Sequence, residues 1–209
     1  KRVQSPKISL AKLYLLETDK ISDAETVKDE KEKALIRIAM FASEPIPFDA
    51  MEVALHQAYE KSQSNDERPQ YKMIHEYPLS GKPPMMTHLF ANENGNRIIA
   101  AKGAPEAIMH VSKLSAKETE AIKAAIINLA KQGYRVLGVG QAKFEGDNFL
   151  DKQQSYDFTF IGLVAFYDPP KKNIPKVLEH FETAGIAVKI ITGDNAETTA
   201  AIAKQMGFI

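Results

Sequence analysis

Cysteine is absent from the 209 residues, which removes disulfides, thiolate zinc sites and cysteine nucleophiles together. No apolar run approaches the roughly 18 residues a membrane-spanning helix needs. The longest, from Phe158 to Tyr167, has the length of a strand. An excess of one charge is also lacking: Lys+Arg and Asp+Glu stand at 27 each, where a dedicated nucleic-acid binder would be basic. That balance leaves room for a local basic pocket, but no nucleic-acid partner is expected. The phosphate-cradling patterns G-x-x-x-x-G-K-[ST] and G-x-G-x-x-G are both missing. His56, His75, His88, His110 and His180 show no H-x-x-x-H pairing and read as surface or internally satisfied residues, so no metal is expected in this chain by itself. The first residue is lysine and no signal-peptide pattern follows, so both ends are expected to be cuts.

With 44% hydrophobic and 26% charged residues, the chain suits one or two compact soluble domains. The pattern predicts a strand over 8–16, a polar acidic turn region over 17–30, and helices over 30–42 and 50–62, broken by Pro45 and Pro47. Asp49 and Glu52 stand at capping-box spacing for the second helix, as do Ser115 and Glu118 for an amphipathic helix that ends at Gly133. Strands are expected in 71–79, 85–92 and 97–102, with Asn-Gly in "NENGN" marking a hairpin, and again in 135–144 and 158–168. A helix over 172–184, a strand over 187–191 buried on both faces, and a last helix over 196–205 then read as parallel α/β. Two domains are expected, 1–165 and 166–209, the second incomplete.

Four stretches hint at chemistry. In "AAKGAPEAI", Lys102 ends an apolar strand, Gly103 permits close approach, and Pro105 suits a first helical position. Such a lysine can reach a phosphate or sit beside an adenine ring, although a solvated strand-end lysine is the commoner case. In "KQGYRVLGVG", Arg135 opens a strand and is suited to holding phosphate oxygens. "FYDPPKK" places Asp168 at a strand end before a stiff Pro169-Pro170 hinge. In "ITGDNAET", Asp194 can cap the last helix or, with Thr192 and Gly193, face a phosphate at its N-terminus.

Taken in order, "PFDAMEVAL", "KGAPEA", "GYRVLGVG", "DPPK" and "ITGDN.ET" resemble the P-type cation-transporting ATPases, in the branch of calcium and proton pumps. The resemblance covers nearly the whole chain. It implies an α+β nucleotide-binding domain, an antiparallel sheet with flanking helices, followed by a partial α/β haloacid-dehalogenase-like segment. It further implies that the chain begins just after a "DKTGT" motif and stops before "GDGxND", so that the phosphorylated aspartate lies elsewhere and the fragment binds nucleotide without turnover. ATP with Mg²⁺ would be the ligand, and the rest of its own pump the partner. The setting would be the cytoplasmic side of a membrane, with no direct membrane contact by this piece, which is expected to be monomeric.

By this resemblance Lys102, with Gly103 beside it, lines the adenosine pocket, Glu52 meets the adenine with Asp49 nearby, and Arg135 reaches the phosphates. Asp168 is the hinge aspartate, with Lys171 where the family usually has arginine. Thr192, Gly193 and Asp194 meet the transferred phosphate and its Mg²⁺ in the parent. One segment departs: in "EYPLSGKPPMM" the family's stacking aromatic falls on Leu79 and its lysine on Pro84, with Lys82 two residues away. Losing an aromatic platform removes about 0.5–1.5 kcal/mol, so weak ATP binding with apolar packing on the base is expected. Lys102→Ala is expected to weaken ATP binding with stability nearly unchanged. Two other readings compete. A free-standing phosphatase of the haloacid-dehalogenase type needs a D-x-D-type or DKTGT nucleophile, and neither occurs. An interaction domain with a decayed pocket would explain Leu79 and Pro84.

Overall fold

The computed structural model describes residues 7–170, 173–192 and 196–207. Seven strands form one sheet: β1 (Ser9–Leu15), β2 (Lys20–Asp23), β3 (Lys72–Ser80), β4 (Met85–Ala91), β5 (Arg97–Gly103), β6 (Arg135–Ala142) and β7 (Phe158–Tyr167). Their spatial order is β2-β1-β7-β6-β5-β4-β3, and every named pair is antiparallel. Helices α1 (Glu30–Phe41) and α2 (Ala50–Ser62) cover one face, and α3 (Pro105–His110) and α4 (Ala116–Lys131) cover the other.

Two-sided cover explains why the central strands read as unbroken apolar runs. In β7, Val164 and Phe166 enter the core under α1 and α2, while Leu163 and Ala165 enter the core under α3 and α4, all four fully buried. In β5, Ile98 and Ala100 face the first core and Ile99 and Ala101 the second. An antiparallel strand alternates polar with apolar only where one face meets water, and these meet none.

Helix starts follow local chemistry. Ser115 accepts from the Glu118 backbone N–H and Glu118 accepts from the Ser115 N–H, a complete capping box. Ser115→Ala is expected to cost about 0.5–2 kcal/mol, read as a lower urea midpoint at unchanged slope; no change would mean that solvent caps the helix equally well. At α2 the box is only half formed. The Asp49 side chain accepts from the Met51 and Glu52 N–H groups, but the Glu52 carboxylate turns inward instead of returning to the cap. The reason is a buried lysine, described below.

Two expectations about secondary structure are corrected. The 17–30 turn region contains the short strand β2, which pairs with β1 through Lys20 to Asp23. Residues 187–191 form no strand, and Val188, Ile190 and Ile191 are 38%, 42% and 97% exposed rather than buried. A strand exists only where a neighbour completes its hydrogen bonds, and among the described residues none lies alongside. Helix α5 (Ile174–Thr183) likewise leaves Val177 and Phe181 exposed. Helix α6 (Ala196–Gln205) does find a partner: the Thr198 hydroxyl donates to the Tyr134 carbonyl at 3.3 Å, and Ala201 and Gln205 lie over Gly133. Gly133 has φ +84°, so it both ends α4 and leaves room for that contact.

Candidate functional site

Antiparallel topology gathers the candidate residues. The ends of β3, β5 and β7 and the starts of β4 and β6 share one rim of the sheet, so Leu79, Lys102, Gly103, Arg135 and Asp168 all stand there. Register fixes the face. Lys102 lies opposite Met86 on β4 and opposite Val139 on β6, and Val139 belongs to the core under α1 and α2. Arg135 is four residues before Val139 on the same strand and therefore on the same face, roughly 13 Å further along.

Lys102 is the centre of the first cluster. Its ammonium donates to Glu52 Oε1 at 2.8 Å and lies 2.9 Å from the Met86 sulfur, and the Lys102 and Glu52 side chains are each 8% exposed. Glu52 Oε2 accepts from the Glu44 backbone N–H at 3.3 Å. Helix α2 thus delivers a carboxylate into the sheet, which is why it cannot close the capping box. Asp49 stays at the helix start, exposed. Gly103 is required by a close approach: a Cβ there would lie 2.5 Å from the Pro84 carbonyl oxygen and 2.6 Å from Met85 Cα. The Ala104 N–H donates to that same carbonyl at 3.0 Å, tying the β4 entry to the turn into α3.

A second cluster lies at the β6 and β7 ends, where Arg135 Nη1 donates to Asp168 Oδ2 at 3.4 Å. Both side chains are about a third exposed or more, 34% and 40%, so a ligand could reach them. Leu79 is 62% exposed on β3. Lys82, by contrast, lines a cleft of about 520 Å³ with Lys152, His110 and Gln154, next to α3 and on the opposite side of the sheet from Lys102. Thr192 lies in the segment before α6, whereas Gly193, Asp194 and Lys171 fall outside the described residues.

Sequence reasoning missed a third group. His88 on β4 is fully buried, directly opposite Glu76 of β3, and its Nε2 faces Glu76 at 3.7 Å and Glu44 at 3.8 Å without a hydrogen-bond partner. It is therefore neither a surface residue nor a satisfied one. Burial pushes its pKa down, and burial together with the nearby Glu76 pushes that of Glu44 up. The loop from Ser43 to Asp49 that carries Glu44 also exposes Ile46 and Phe48, at 88% and 90%. Nothing in local sequence joins residues 44, 76 and 88; only the sheet and this loop do.

An antiparallel sheet between two helix pairs agrees with the fold that the motifs implied. Residues 10–173 match the family model for P-type ATPase, cytoplasmic domain N. The chain belongs to that family. It is 32% identical over 147 residues to a calcium-transporting ATPase of Bacillus subtilis, covering 65% of this chain and 16% of that protein. It is 28% identical over 207 residues to sodium/potassium exporting P-type ATPase 1 of Saccharomyces cerevisiae, covering 83% of this chain and 19% of that protein. It is 30% identical over 128 residues to magnesium-transporting ATPase, P-type 1 of Salmonella typhimurium, covering 55% and 14%. The chain thus spans less than a fifth of the curated relatives it matches. Among the described residues no helix is long and apolar enough to cross a membrane.

Proposed function

We propose that this chain is the ATP-holding part of an ATP-driven cation pump, on the cytoplasmic side of a membrane. In the whole pump it presents the γ-phosphate to an aspartate outside this chain. The observation that carries the reading is the placement of Lys102, Glu52 and Arg135 on one face at one rim of the sheet. The separation of about 13 Å between the level of Lys102 and Arg135 suits a nucleotide laid along the rim, base toward Glu52 and phosphates toward Arg135. Asp168 holds the guanidinium in place until phosphate oxygens compete for it.

The donor set fits ATP with Mg²⁺. Arg135 supplies positive charge for the phosphates, the Lys102–Glu52 pair lines the base end, where Glu52 can accept from an adenine amino group, and Leu79 offers apolar surface to the base. Phe48, 90% exposed on the loop between α1 and α2, offers the aromatic plane that position 79 lacks. Mg²⁺ would arrive with the triphosphate and neutralise its oxygens. Residues 166–209 fit the start of a second, haloacid-dehalogenase-like domain, since Val177, Phe181 and Val188 to Ile191 present apolar surface that a further layer would cover. There Thr192, Gly193 and Asp194 would meet the transferred phosphate. Phosphoryl transfer is mostly positioning and charge stabilisation, so the chain alone is expected to bind without turnover.

Titration of the 209-residue chain with ATP is expected to give a dissociation constant of about 0.1–1 mM, or roughly 4–5.5 kcal/mol. NMR shifts should cluster at Glu52, Phe48, Lys102 and Arg135. Arg135→Ala should weaken ATP more than adenosine. Equal losses for both ligands would remove Arg135 from the phosphate role, and no saturable ATP binding would favour the decayed-pocket reading.

A further inference from the structure

His88, Glu76 and Glu44 form a group that the nucleotide reading does not use. We propose that these three side chains bind a divalent transition cation of the zinc class, through His88 Nε2 and one carboxylate oxygen from each glutamate. The other ring nitrogen fixes the tautomer of His88. Nδ1 lies 3.0 Å from the Ser43 carbonyl oxygen, and a carbonyl only accepts, so Nδ1 carries the proton. In the neutral ring Nε2 is then a bare lone pair. It is fully buried, and it faces two carboxylates, which are also acceptors, at 3.7 and 3.8 Å. Three groups that accept when unprotonated, one of them a buried nitrogen without a partner, turn toward one point and define a place for a cation.

The geometry fits a metal closely. The three candidate ligand atoms all lie within 4.8 Å of one another. Bonds of about 2.0–2.2 Å to a tetrahedral ion place ligands roughly 3.3–3.6 Å apart, so side-chain rotations that bring the ligand atoms closer by up to about 1 Å complete the site. The Nδ1–H to backbone carbonyl bond is the arrangement that orients metal-bound imidazoles and raises their basicity. An imidazole ligand selects zinc, cobalt or nickel over the oxygen-seeking calcium and magnesium. Charge agrees as well: the nearby Lys102 is already neutralised by Glu52 at 2.8 Å, which leaves the two carboxylates to balance a divalent ion. The supports differ in stiffness. His88 and Glu76 are a cross-strand pair on β4 and β3, whereas Glu44 rides on the loop between α1 and α2, so the metal would pin that loop to the sheet.

The test is calorimetric titration of the whole chain with Zn²⁺ at pH 7.5, without nucleotide, repeated with Co²⁺ for its visible spectrum. A 1:1 complex with a dissociation constant below about 1 mM is expected. Glu44→Gln and Glu76→Gln, both at partly exposed positions, should each weaken binding at least about tenfold while circular dichroism stays unchanged. The ¹⁵N signal of His88 Nε2 should move on Zn²⁺ addition. Absence of saturable binding below about 1 mM would overturn the proposal, as would binding that ignores both glutamine variants. So would an apo His88 protonated on both nitrogens at that pH, since a proton would then be the cation the site was built for. Failure here leaves the ATP titration unaffected, because no nucleotide is present.

Discussion

Lys102→Ala is expected to destabilise the chain by about 3–5 kcal/mol, the range for breaking a buried ion pair by removing one partner. Both side chains of the Lys102–Glu52 pair are 8% exposed. Without the ammonium, the Glu52 carboxylate would keep only the Glu44 N–H at 3.3 Å, inside a low-dielectric rim. Replacing both partners at once, Lys102→Met with Glu52→Leu, should recover most of the loss, since neither buried charge then remains. Urea midpoints of the single and the double variant read the effect directly. The expectation from sequence, that stability would be nearly unchanged, took Lys102 as a pocket residue without its buried contact to Glu52. A loss under about 1 kcal/mol would mean that water reaches the pair. ATP binding should fall in both variants, so the diagnostic contrast lies in stability.

Gly162→Ala is expected to cost about 3 kcal/mol or more. At this point β7 runs so close to β1 that a Cβ would lie 2.0 Å from the Tyr14 carbonyl oxygen and 3.1 Å from Leu35 Cδ2. The obstructing atom is backbone in the middle of a paired strand, so no side chain can swing aside. The entropic benefit of replacing glycine, about 0.4–1 kcal/mol, is too small to compensate. For a chain of this size each kcal/mol moves the melting temperature by roughly 2–4 °C, which gives a fall near 10 °C. At Gly95 no atom lies within 4 Å of an added Cβ and the only penalty is φ +78°, so Gly95→Ala should cost about 1–2 kcal/mol. If the two variants lost the same amount, the β1–β7 spacing would not be the constraint.

These two cases mark what the sequence made legible. Helices α1, α2 and α4 could be placed within a residue or so, because caps and apolar spacing are local signals, and the "NENGN" hairpin follows from Asn-Gly. Lys102 and Glu52 were named as site residues, yet their 2.8 Å contact was hidden, because fifty positions separate them and the capping-box spacing suggested a different bond for Glu52. The short strand β2 was missed because "KISD" carries one apolar residue and borrows its order from β1. The run from Val188 to Ile191 erred the other way. Its composition is that of a buried strand, but composition supplies no neighbour. His88 escaped notice for a similar reason, since its meaning depends on Glu44 and Glu76.

The pairing of Ser9 with Tyr167 has a mechanical consequence. Directly opposed residues on antiparallel strands lie about 4.5–5.5 Å apart, so the backbone enters and leaves this 159-residue span through a doorway scarcely wider than one strand spacing. A body tethered by two such adjacent cords can swing about the line between them without stretching either. It resists sliding, because β1 and β7 are zipped together beyond the tether. In the proposed pump, small changes of backbone angle near Asp168, Pro169 and Pro170 would therefore be magnified by the length of the sheet. Whatever the far end of the rim carries would be moved through an arc of many ångströms.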